Sequence, residues 1–84
     1  MTTDELRSVA RTALRLALSY RAEAELLRVR DEAYWRRGTL RRLEEDHLLE
    51  AKKIAAALRE GQKSLDADLQ DLWAKAFPHE GGAE

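Results

Sequence analysis

Up to residue 77 the chain has no proline and only two glycines, Gly38 and Gly61. Ala, Leu, Arg and Glu dominate the stretches between them, and these residues lose little conformational freedom in a helix. That combination predicts an all-α protein. Thr2 and Glu5 form a capping-box pattern at the start, with the Thr2 hydroxyl facing the first-turn amides and Glu5 reaching back. Gly38 suits a helix end and Thr39 the cap of the next helix. Pro78 and the following HEGGAE close the pattern. The expected organisation is one helical hairpin domain, 1–77, with helices 3–37 and 39–77, a turn at 38 and a flexible tail at 78–84.

Apolar side chains recur in the first helix at Leu6, Ala10, Ala13, Ala17, Tyr20, Ala24, Leu27 and Tyr34, with Asp31 in phase. In the second they recur at Leu40, Leu43, Ala51, Ile54, Leu58, Leu65, Leu69, Leu72 and Ala76. Steps of three and four describe a coiled-coil-like seam. Gly61 as a C′ residue and Ser64 as an N-cap are signals for a break. The heptad phase nevertheless runs through REGQKS, which favours a second helix that is continuous or kinked near Gly61. Folding at Gly38 sets Leu6 against Leu72, Ala13 against Leu65 and Ala24 against Ile54. The same antiparallel register pairs Arg11 with Asp66, Arg15 with Glu60 and Glu23 with Lys53.

The first helix carries a second apolar stripe: Leu14, Leu18, Ala22, Leu26, Val29 and Ala33. One neighbouring helix cannot cover two stripes, and an exposed stripe of this length is a large apolar patch. Two ways of covering it follow. A second chain can dock there, giving a homodimer in the form of a four-helix bundle, or a complex with a helical protein partner. Alternatively the chain breaks at Gly61–Ser64 and residues 64–77 return as a third helix. The oligomer is the favoured solution, because a chain of 84 residues buries only a modest core.

Charge is divided along the chain although the net charge is only −1. Residues 1–43 hold ten arginines and six acids, whereas residues 44–84 hold five basic residues and ten acids. Such halves neutralise each other within a fold, so nucleic acid is not the expected partner. Arg36, Arg37, Arg41 and Arg42, beside Tyr34 and Trp35, are the residues that would make such a contact, at the hairpin tip. Cysteine is absent, which excludes disulfides and thiolate metal sites and fits a cytoplasmic setting. There is no apolar run of membrane-spanning length.

The seam has a polar layer. Asp31, Glu44 and His47 stand where apolar residues are expected, and the hairpin register brings all three to one level. Glu44 and His47 form Glu-x-x-His, with Glu32 as a further carboxylate nearby. A carboxylate from one helix and Glu-x-x-His from another, doubled by a two-fold axis, can hold Fe, Mn or Zn. This half-site resembles that of two-helix ferritin-like proteins, such as encapsulated ferritins, whose di-iron centre is built across a dimer. The resemblance rests on Glu44, His47 and a carboxylate at 31–32. Asp31 departs from the Glu usual there, and the match does not define membership. The competing expectation is a metal-free layer in which Asp31 pairs with His47 and fixes register. Catalytic motifs of the nucleophile–base or phosphate-loop kind are absent from the sequence.

The expected function is therefore non-enzymatic: an oligomerisation, adaptor or chaperone-like binding module without a cofactor. A dimetal-carboxylate protein and a nucleic-acid contact are the two alternatives.

Overall fold

The computed structural model describes residues 1–27 and 34–81. These residues form three helices and one short helical turn: α1 (Thr3–Leu26), α2 (Tyr34–Glu60), α3 (Ala67–Ala76) and α4 (Pro78–Gly81).

The capping box at the start of α1 is present in full. The Thr2 hydroxyl accepts from the Glu5 amide at 3.1 Å, and the Glu5 carboxylate accepts from the Thr2 amide at 3.4 Å. Asp4 and Glu5 also place negative charge at the helix N-terminus, where the amide dipoles favour it.

The next boundaries differ from the sequence expectation. α1 ends at Leu26 rather than 37, and α2 has begun by Tyr34. Gly38 and Thr39 therefore lie inside a helix instead of forming the turn and the cap. The Thr39 hydroxyl donates to the Trp35 carbonyl at 3.1 Å, a bond within the helix four residues back. A glycine in a helix costs only about 1 kcal/mol, and helix formers on both sides carry α2 through it. Leu40, just beyond, is anchored in the core.

Gly38→Ala is accordingly expected to stabilise the protein by about 0.5–1 kcal/mol. An added Cβ would meet no atom within 4 Å. Thermal denaturation of a dilute sample measures the effect, and a destabilised variant would restore Gly38 to a turn.

α2 ends in a Schellman closure. The Lys63 amide donates to the Leu58 carbonyl at 2.8 Å, and the Gln62 amide to the Arg59 carbonyl at 3.0 Å. Gln62 takes the left-handed conformation with φ 60°, so the helix end comes one residue after the glycine that signals it. The continuous or kinked helix 39–77 is thus replaced by two helices. Asp66, not Ser64, caps α3, accepting from the Leu69 amide at 2.9 Å.

Contacts define how the helices run. Glu23 meets Arg36, Arg21 meets Glu44, and Tyr20 meets His47, so α1 and α2 are antiparallel. Arg7 reaches Ser64, Arg11 reaches Asp66, and Arg21 reaches Lys75 and Ala76. Here the numbers rise together, so α3 runs parallel to α1. Ala10, Ala13, Leu14, Ala51, Ile54, Leu58, Leu69 and Ala76 form the buried cluster, with Leu18, Leu65, Leu72, Trp73 and Phe77 packed around it. The alanines on α1 and Ala51 on α2 allow close approach, and leucines fill the space between the helices.

Candidate functional site

The second stripe of α1 shows what α3 covers and what it leaves. Leu14 is 0% exposed and Leu18 half-buried, Ala22 is exposed, and Leu26 is 78% exposed. Residues four apart on a helix advance by about 400°, so each step turns the stripe by about 40°. The stripe therefore starts under α3 and rotates out of it. Leu14 belongs to the fold's own core, which corrects its assignment to an outer association face. Val29 and Ala33 lie outside the described residues. Two further large apolar side chains are exposed on α2: Trp35 at 82% and Leu49 at 53%.

Of the expected polar layer, Glu44 and His47 are among the described residues. Glu44 is at the α1–α2 contact, but its partner is Arg21, with Nε 2.9 Å from the carboxylate. The same guanidinium donates to the carbonyls of Lys75 at 3.1 Å and Ala76 at 2.7 Å. Arg21 thus ties α1 to α2 and satisfies two carbonyls at the C-terminal end of α3, where a cation also matches the helix dipole. His47 lies one turn further on, with Nδ1 2.7 Å from the Leu43 carbonyl. A carbonyl only accepts, so Nδ1 carries the proton. The ring meets Tyr20 edge-on at 5.5 Å between centroids. It also borders a groove lined by Ser8, Val9, Thr12, Ala13, Leu16 and Glu50.

Asp31 and Glu32 lie outside the described residues. Among the described residues no group of three or more His, Asp or Glu side chains is close enough to share a metal ion. A cation at Glu44 would share its carboxylate with the guanidinium that pairs with Oε2.

Arg36 and Arg37 lie in the first turn of α2, and Arg41 and Arg42 follow in the next turns. At about 100° per residue Arg37 and Arg41 share one side of the helix, while Arg36 and Arg42 lie about 100° to either side of that pair. Arg36 pairs with Glu23 at 2.7 Å, and Arg37 is also engaged.

Arg11 and Asp66, paired in the sequence register, do meet, at 2.6 Å. The Leu69 amide first, and then Arg11, hold the Asp66 carboxyl below its usual range. Sequence reasoning missed Arg21. The available signal is its position one heptad after Leu14, on the side of α1 that faces α3.

The chain matches no protein-family model, no curated protein and no solved structure.

Proposed function

We propose that this chain is a non-enzymatic helical association module that forms complexes through apolar side chains on the outer faces of its helices. The observation that carries this reading is the exposure of Leu26, Trp35 and Leu49 in a chain whose apolar seam residues are largely buried. Trp in particular holds a large apolar surface that is favourable to remove from water. In place of the four-helix arrangement expected from the sequence, with Leu14 at the interface, this reading has three-helix units associating, because α3 already occupies that part of the stripe. A dimetal or nucleic-acid role gains no support from the described residues. Glu44 is held by Arg21, and Arg36 is paired with Glu23.

Sedimentation equilibrium over a wide concentration range tests the proposal. The wild type is expected to self-associate. A variant with Leu26→Gln, Trp35→Gln and Leu49→Gln is expected to remain monomeric and helical, since exposed substitutions change stability by only about 0.5 kcal/mol each. A wild type that stays monomeric at every concentration, or a variant that associates equally well, would overturn it.

A further inference from the structure

The outer face of α2 has a self-complementary order. Trp35, Gly38, Arg42, Glu45, Leu49 and Lys52 follow one another in steps of three and four, and every one of them is exposed. The buried residues of α2, among them Leu40, Ala51, Ile54, Ala55 and Leu58, lie on the other side. We infer that this face binds a second copy of the same chain, with the two α2 helices antiparallel about a two-fold axis beside Arg42 and Glu45. This inference rests on the association reading above and names its partner and surface.

Charge and shape select that register. Arg42 of each copy faces Glu45 of the other. Leu49, an exposed knob, faces Gly38, where a missing side chain leaves open space: nothing lies within 4 Å of the position a Cβ would take. Trp35 arrives opposite Lys52 and Lys53. The Lys52 ammonium already sits over Phe77 of its own chain at 4.8 Å, so Lys53 is the cation placed to cover the indole. Because a two-fold interface is isologous, each of these pairings occurs twice.

Competing arrangements lose these matches. A parallel two-fold pairing sets Arg42 against Arg42 and Glu45 against Glu45. Slipping the antiparallel register by one heptad sets Arg42 against Lys52 in one direction and against Gly38 in the other. Charges at such positions choose partner and orientation by penalising the alternatives. The face is narrow and half polar, which places it with small, transient interfaces that bury less than about 1,200 Å² in total.

The test is a charge exchange read by sedimentation equilibrium, with circular dichroism verifying that each chain is helical. Arg42→Glu alone and Glu45→Arg alone each put like charges together twice, and each is expected to weaken self-association at least about tenfold. An equimolar mixture of the two variants restores both attractions and is expected to form a heterodimer as tight as the wild-type dimer. The double variant R42E/E45R is expected to self-associate within about threefold of wild type. Wild-type association that is unchanged in both single variants would overturn this interface and leave the association reading standing. Single variants that weaken without rescue on mixing would also overturn it. A wild type that is monomeric throughout would remove the association reading and this inference together.

Discussion

Leu14→Ala is expected to destabilise the protein by about 3 kcal/mol, even at concentrations where the chain is monomeric. Leu14 is 0% exposed and shares its cluster with Leu58 and Leu69, which are 2% and 0% exposed. Truncation removes the transfer free energy of the lost carbons and leaves a cavity that three helices cannot close without moving together. A small domain has a total stability of only about 5–10 kcal/mol, so the urea midpoint should fall markedly. In a two-helix hairpin the same side chain would line only an oligomer interface, and dilution would abolish its effect. A loss below about 1 kcal/mol in dilute solution would show that α3 does not cover α1. The double variant with Leu69→Ala should lose less than the sum of the single losses, because both substitutions enlarge one cavity.

Arg21→Ala is the second large effect expected, a loss of about 2–4 kcal/mol. The substitution leaves the Glu44 carboxylate, which is only 17% exposed, without its cation. It also leaves the carbonyls of Lys75 and Ala76 without the donors seen at 3.1 and 2.7 Å. Arg21→Lys should recover less than half of the loss, because one ammonium cannot reproduce a planar fork aimed at three acceptors. Urea denaturation gives the magnitude. Hydrogen exchange adds the location: amides of α3 should lose protection more than those in the middle of α1, since the lost bonds fix the end of the shorter helix. Equal protection loss across α1 and α3, or no loss of stability, would contradict this role for Arg21.

Much of the helical character is local and was legible. The capping box is formed by neighbours three residues apart, so Thr2 and Glu5 announce it wherever the rest of the chain goes. The seam was also legible. Ala10, Ala13, Ala17 and Ala24 are buried on α1, and Ala51, Ile54 and Leu58 on α2, because helical periodicity does not depend on which element covers it. Two stripes on α1 correctly implied that one neighbour was insufficient. Their presence could not say whether the second cover was another molecule or a later part of the same chain.

The candidate site shows how a misplaced turn propagates. With the reversal at Gly38, the level of Glu44 and His47 falls at Asp31. In the structure Glu44 meets Arg21, ten residues earlier in the chain. There the guanidinium neutralises the Glu44 carboxylate, while Asp31 and Glu32 lie outside the described residues. Arg11 and Asp66 meet as expected, but through α3 running parallel to α1 instead of a long antiparallel arm.

What the amino-acid sequence determined by itself is the helical class, the N-terminal cap and the faces that seek burial, because each is set by residues within a turn or two of one another. Tertiary structure alone decided that the chain passes through Gly38 as helix, breaks after Gly61 and returns α3 along α1. A helical glycine costs about 1 kcal/mol, too little to choose between turn sites when each choice also redistributes the burial of several leucines. That choice is made by contacts among residues far apart in the chain: Leu14 with the Leu58–Leu69 cluster, and Arg21 with Glu44 and the end of α3. Their combined burial and hydrogen bonding outweigh a single local breaker, and no short-range spacing encodes them.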